Sequence, residues 1–296
     1  MGKTIGVVMT SRIVAGLVED HALPGSLNFF PEDPDEHEAL LDLPVDSLCE
    51  RIGKQVAALK PETKVEAIGV AMPGIIRGGA VADSPNLPQL KGANMAASLK
   101  AAFAAHGIDA PVKVLNDADA VAAGLAATEG HLDRVVRVWT IGNGIGFGRY
   151  PYREGVWEGG HTVVSLDPKE GFCGCGGKGH LEGIMGHRAM RLRFLDMEPE
   201  EVFAMAKKGE SRCLDFVELW HRALSAATAT SIHLDGPGRF YFTGNNVRFL
   251  DLNLLKEYLW QMVKMSPLQS YTLQVVPLSD DLGVIGSAAT ALFEPS

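Results

Sequence analysis

Between Glu158 and Glu182 the chain sets His161, Cys173, Cys175 and His180 among glycines, five of them around the cysteine pair. Two cysteines separated by one residue form a strained disulfide, but their thiolates fit comfortably on one cation. Thiolate and imidazole together select zinc among the abundant cations, and four such ligands with no open position describe a structural site. His161, Cys173, Cys175 and His180 are therefore expected to hold a structural zinc. His187 is a second candidate for the fourth place, competing with the start of a helix. The alternative is an unliganded glycine-rich loop. Closing this segment on a metal would fix its backbone and position Glu158 and Glu182 without a large apolar core. If one ring nitrogen of His161 ligates, the other is left for a hydrogen bond toward whatever Glu158 touches.

The rest of the chain bounds what this segment serves. With 296 residues and 46% hydrophobic content, the expectation is two α/β lobes. A net charge of −9 with no lysine or arginine cluster argues against nucleic-acid or acidic-lipid partners and favours a small uncharged ligand. No apolar run approaches the length of about 20 residues that a membrane span requires, and the N-terminus lacks a signal-type core, so the chain reads as cytoplasmic. Cys49 and Cys213 read as buried thiols.

Thr4–Met9 and Arg12–Glu19 are β-branched runs joined by a short turn, the pattern of a hairpin. Helical spacing covers Leu43–Leu59, and Val65–Met72 is a continuous apolar run ended by Pro73-Gly74, which reads as a buried strand. Asn94–His106 is expected to be a helix capped by Asn94, followed by a strand at Val112–Leu115 and a helix from Asp119 to Glu129. Further strands are expected at Val135–Ile141, Arg239–Thr243 and Tyr271–Val276. Helices are expected over 184–208, 213–233, 251–265 and 283–292. The run Gly142–Gly148 reads as a glycine-rich turn.

Ligands of open α/β sheets gather outside the carboxyl ends of strands, where Asn116 and Asp117 fall. With Asn86, Glu158 and Glu182 they form a set of amides and carboxylates suited to the hydroxyls of a sugar. Each has a plainer reading as well: Asn116 or Asp117 as a helix cap, Asn86 as a turn residue. Asp117 is best placed to be a general base; Asp119 reads as a first-turn residue favoured by the helix dipole.

These segments together resemble the ROK family of bacterial sugar kinases, glucokinase-like enzymes and sugar-responsive repressors, built on the two-lobed, actin-like ATPase (ribonuclease H-like) α/β fold. The resemblance is carried by Gly69–Ile76, Ser84–Gly92, the run Leu115-Asn116-Asp117-Ala118-Asp119-Ala120, Thr140–Gly148, Glu158–Glu182 and Ser279–Leu292. It implies a small lobe over residues 1–115, with a C-terminal helix near 283–296 packing back on it, and a large lobe over 116–282 with the zinc site. It also implies Asp117 as the base that deprotonates a hexose hydroxyl, with Asn86, Asn116, Glu158, His161 and Glu182 binding the sugar. His161, Cys173 and Cys175 would be zinc ligands, with His180 standing where the family usually has a third cysteine. Magnesium–ATP would meet Gly142, Asn143, Gly144 and Gly244. A homodimer is implied too, and a DNA-binding regulator is not expected.

The nucleotide half departs from the family pattern. Val7, Met9, Thr10 and Ser11 stand in place of an Asp and a Gly-Gly-Thr that approach magnesium and phosphate. Asn143 replaces threonine, Phe147 replaces glycine, and Asn245 and Asn246 replace glycines near the adenine. Phosphoryl transfer rests on positioning and charge neutralisation, so these changes count against it. Three functions stay open: an ATP-dependent hexose kinase; an ATP-independent glycosidase, transglycosylase or epimerase using Asp117 with Glu158 or Glu182; and a non-catalytic sugar-binding pseudokinase.

Overall fold

Residues 3–33, 36, 38–60, 64–153, 155 and 158–292 are described by the computed structural model of this chain. The β-branched runs pair as expected, β1 (Lys3–Met9) and β2 (Ile13–Val18) lying antiparallel with Val7 opposite Ala15. A short β3 (Asn28–Phe30) adds antiparallel to β2. Helix α1 (Val45–Ala58) buries Leu48, Ile52 and Val56. Next comes β4 (Val65–Met72), a near-continuous apolar run with parallel partners on both sides, as a strand buried on both faces requires.

A small hairpin, β5 (Ile75–Arg77) with β6 (Ala80–Asp83), turns on Gly78 and Gly79, both at positive φ. Helix α2 (Met95–Ala105) is capped by Asn94, whose side chain accepts the Ala97 N–H at 3.1 Å. Then follow β7 (Val112–Asn116) and α3 (Asp117–Thr128). The first sheet has the order β3-β2-β1-β4-β7.

The chain continues through β8 (Val136–Ile141), β9 (Ile145–Tyr150) and three short helices: α4 (Leu181–Met185), α5 (His187–Arg193) and α6 (Pro199–Lys207). One long helix was expected over 184–208. Gly186 in extended conformation and a non-helical stretch before Pro199 divide it instead. The long α7 (Ser211–Asp235), β10 (Arg239–Thr243), α8 (Leu252–Met262), β11 (Thr272–Val275) and α9 (Asp280–Ala291) complete the order. The second sheet runs β11-β10-β8-β9. The glycine run expected to be all turn is therefore half strand.

By their contacts the residues sort into two units. The first comprises Met1–Val136, Gly148–Val156 and Ser279–Ser296; the second comprises Arg137–Phe147 and Trp157–Leu278. The sequence expectation divided the chain at 115/116, whereas α3 falls in the first unit because its small residues pack on α9. A Cβ on Gly124 would lie 1.9 Å from the Leu282 carbonyl oxygen, and one on Gly286 would lie 1.8 Å from that of Ala120. Only glycine lets the two helix backbones come so close. Residues 293–296 of the expected C-terminal helix lie outside the described residues. In the second unit, Trp139, Trp220, Phe240 and Phe242 anchor a separate core.

Candidate functional site

In the second unit, the segment after β9 folds back on itself. Val163 and His180 form an isolated bridge, the Leu181 N–H donates to the Thr162 carbonyl at 3.0 Å, and the Gly179 N–H donates to that of Glu170 at 2.6 Å. These bonds bring four ligand atoms, from His161, Cys173, Cys175 and His180, within 4.8 Å of one another. The two sulfurs are 3.4 Å apart, Cys175 Sγ is 3.2 Å from His180 Nδ1, the two Nδ1 atoms are 3.3 Å apart, and His161 Nδ1 is 3.7 Å from Cys173 Sγ. A tetrahedral zinc with ordinary bond lengths has edges of about 3.8 Å between sulfurs, about 3.6 Å from sulfur to nitrogen and about 3.4 Å between nitrogens.

The donor set and its spacing thus fit a four-coordinate soft cation. Burial, above all, pushes the Cys173 thiol up to about 12, which a bound cation would reverse by taking the thiolate. The Gly177 N–H already donates to Cys175 Sγ at 3.3 Å, holding that sulfur in place. His187 is not in this group; it opens α5, and its N–H donates to the Gly142 carbonyl at 3.0 Å.

The carboxylates flank this cluster differently. His161 turns Nδ1 to the cluster and Nε2 toward Glu158, 3.8 Å from Oε2. Glu182 accepts the Ile145 N–H through Oε2 at 3.1 Å and faces Cys173 Sγ with Oε1 at 3.6 Å. It therefore holds the turn between β8 and β9 as well as facing the cysteine loop.

That turn is tied to the one after β10. Asn246, 2% exposed, donates through Nδ2 to the Gly142 carbonyl at 3.1 Å. Gly244 has φ +102°, and a Cβ there would lie 2.5 Å from the Ile141 carbonyl oxygen. Phe147 packs on Trp139 with ring centroids 4.5 Å apart, and its Cβ would be 2.5 Å from a Cβ on Gly159. Two of the residues that depart from the family pattern thus serve packing and turn-tying. Asn143 and Asn245 are exposed.

In the first unit, Asn116 caps α3, its Oδ1 accepting the Ala118 N–H at 2.8 Å, while Nδ2 donates to the Gly74 carbonyl at 3.0 Å. This fixes the Pro73-Gly74 turn beside the α3 N-terminus, where half-buried Asp117 begins the helix. Asn86 is exposed in the segment after β6. Asp119 does lie in the first turn of α3, as its sequence position implied, and it is also 6% exposed and accepts the Arg149 N–H at 2.8 Å. Burial raises its pKa to about 7, opposed by that hydrogen bond and reinforced by the nearby Asp117 charge. Its burial comes from β9 lying against α3: a Cβ on Gly148 would be 1.9 Å from the Ala118 carbonyl oxygen. At the end of β1, Val7 and Met9 are fully buried core residues, Thr10 is half-buried and Ser11 is exposed.

Several known proteins resemble this chain. A glucokinase of Pyrobaculum calidifontis is 27% identical over 247 residues, covering 78% of this chain and 80% of its own. An N-acetylmannosamine kinase of Haemophilus influenzae is 27% identical over 263 residues, covering 82% of each. The crystal structure of a ROK hexokinase from Thermus thermophilus superposes with a TM-score of 0.76 at 23% identity, covering 98% of this chain and 97% of its own. The fold is accordingly the α/β actin-like ATPase fold. The model of the ROK family matches residues 36–294, and with its sheets, glycine turns and His/Cys loop this chain belongs to that family.

Proposed function

We propose that this chain is a sugar kinase that transfers a phosphoryl group from magnesium–ATP to a hydroxyl of a hexose or N-acylated hexosamine. The observation that carries this reading is the α3 N-terminus. Asn116 is locked by two hydrogen bonds, so the next residue, Asp117, starts the helix at the carboxyl end of β7 in a fixed backbone position. A carboxylate there is suited to accept the proton of a sugar hydroxyl as the phosphoryl group arrives. The relatives named above are kinases of glucose and N-acetylmannosamine, which supports this substrate class.

In this reading Asn86, Asn116, Glu158, His161 and Glu182 bind sugar hydroxyls, and Gly142, Asn143, Gly144 and Gly244 border the nucleotide. The first unit would correspond to the N-terminal lobe and the second to the lobe with the zinc loop, although here the first is the larger of the two. His161, Cys173, Cys175 and His180 would hold a structural zinc, which supplies cross-linking of the loop and no chemistry on the substrate. No helix among the described residues is long and apolar enough to cross a membrane. A cytoplasmic homodimer without nucleic-acid partners completes the proposal.

Nucleotide consumption coupled to sugar-phosphate formation, with glucose, mannose, N-acetylglucosamine and N-acetylmannosamine, tests the activity. Asp117→Asn is expected to lower turnover at least a hundredfold while sparing sugar binding. Absence of sugar phosphate with every nucleotide donor would end the kinase reading. A pseudokinase that binds sugar without turnover is favoured by one observation, the apolar, fully buried Val7 and Met9 at the end of β1. Sugar-dependent thermal stabilisation without product would then identify it.

A further inference from the structure

The loop that carries the cysteines has a second fastening that no metal ligand contributes. Glu170, 8% exposed, receives both ends of the Arg193 guanidinium: Nη1 donates to Oε1 at 3.0 Å and Nη2 donates to Oε2. The guanidinium lies over the Phe172 ring at 4.5 Å and the Phe216 ring at 5.4 Å. Arg193 ends α5 and Phe216 belongs to α7, so both are fixed by helices outside the loop. Nε of Arg193 finds no acceptor, which leaves the Glu170 oxygens and the two ring faces as its compensation.

The backbone of Glu170 takes part too. Its carbonyl accepts the Gly179 N–H at 2.6 Å, closing the stretch from Glu170 to Gly179 into a ring that contains both cysteines and ends one residue before His180. Gly179 sits at φ +70°, and a Cβ there would be 1.9 Å from the Ser165 carbonyl oxygen, so the ring closes at one backbone geometry. Phe172, the residue beneath the guanidinium, immediately precedes Cys173.

We propose that the Glu170–Arg193 pair is a metal-independent clamp that shapes the Cys173/Cys175/His180 loop in advance, so that a soft divalent cation enters a formed site instead of folding one. The proposal rests on the metal reading of the cluster for its consequence and on the ion pair and its stacking for its cause. Outer partners of this kind typically change metal affinity about 10- to 100-fold. Arg193 and Glu170 are positioning residues, since neither offers an atom to the cation.

The test compares wild type with Glu170→Gln, Arg193→Lys and the reversed pair Glu170→Arg/Arg193→Glu, using Zn2+ in competition with a chromogenic chelator. Hydrogen exchange across 170–182 in chelator-stripped protein is the second readout. Glu170→Gln is expected to lower Zn2+ affinity about 10- to 100-fold at unchanged saturating stoichiometry, and to release the Gly179 amide, which stays protected in stripped wild type. Arg193→Lys, which keeps the charge and loses the fork, is expected to fall between. Recovery of affinity in the reversed pair supports the clamp. Equal Zn2+ affinity in wild type and Glu170→Gln, or complete exchange of the loop in stripped wild type, overturns it. Should wild type bind no Zn2+, the metal reading fails alone: protection that is lost in Glu170→Gln still supports the clamp, and its absence overturns it.

Discussion

Replacing Asp119 by asparagine is expected to stabilise the protein increasingly as pH rises from 5 to 8. The carboxyl is buried in α3 and its pKa is raised from 3.8 to about 7, so between those values the folded state binds more protons than the unfolded chain. Stability therefore falls as pH rises through that window. It levels off above the folded value, where both states are ionised and the full penalty of a buried charge is present. At about 1.4 kcal/mol per pH unit the whole displacement is worth about 4 kcal/mol, of which about 2.5 kcal/mol develops between pH 5 and pH 8. Asparagine keeps an oxygen to accept the Arg149 N–H and carries no charge at any pH, so its own profile lacks this component. Denaturant unfolding of both proteins at half-unit intervals, plotted as the difference between them, removes the titrations they share. A difference that stays flat within about 0.5 kcal/mol would refute the reasoning, because the buried group would then be equally acidic in both states.

The remaining expectations concern the second unit. Cys175→Ser should lose bound metal, read by metal analysis of purified protein, and full occupancy would remove Cys175 from the ligand set. Gly159→Ala should cost about 1–3 kcal/mol by overpacking, since its new Cβ would lie 2.5 Å from Phe147 Cβ. Most of that cost should vanish in a Phe147→Gly background. An equal cost in both backgrounds, measured by a double-mutant cycle in urea, would show that the two positions are not coupled.

Much of the fold could be read from residue pattern, and the exceptions have physical causes. The β1–β2 hairpin and the buried β4 follow from β-branched alternation and a continuous apolar run, both of which are local signals. Asn94 was legible as a cap because capping needs only the side chain and the next turn. β9 was hidden because Gly146 and Gly148 look like turn residues, while Gly148 is small for a distant reason, the Ala118 carbonyl against it. The β5–β6 hairpin also carries a local signal, in Gly78-Gly79.

At the site, the His161/Cys173/Cys175/His180 grouping was legible because its ligands are close in sequence. The fates of Phe147, Asn246 and Asp119 were not, since what each touches lies 12, 104 and 30 positions away, at Gly159, Gly142 and Arg149. The Glu170–Arg193 pair is hidden in the sequence for the same reason. An acidic and a basic residue 23 positions apart carry no pattern until a fold stacks one between two phenylalanines.

The position of α9 bears on the order in which the molecule is made. A Cβ on Gly6 would meet the Val284 carbonyl oxygen at 1.8 Å, and one on Gly69 would meet that of Ser287 at 1.8 Å, so β1 and β4 wait for a helix that is made only after the whole second unit. That face of the first sheet thus lacks its α9 cover, though not α3, throughout synthesis of most of the second unit, which holds its own core and is free to fold earlier. For a nascent chain this reverses the usual sequence: strands made before the second unit are sealed after it, and chaperone holding of the Val8, Val14 and Ala71 surface would matter most in that interval.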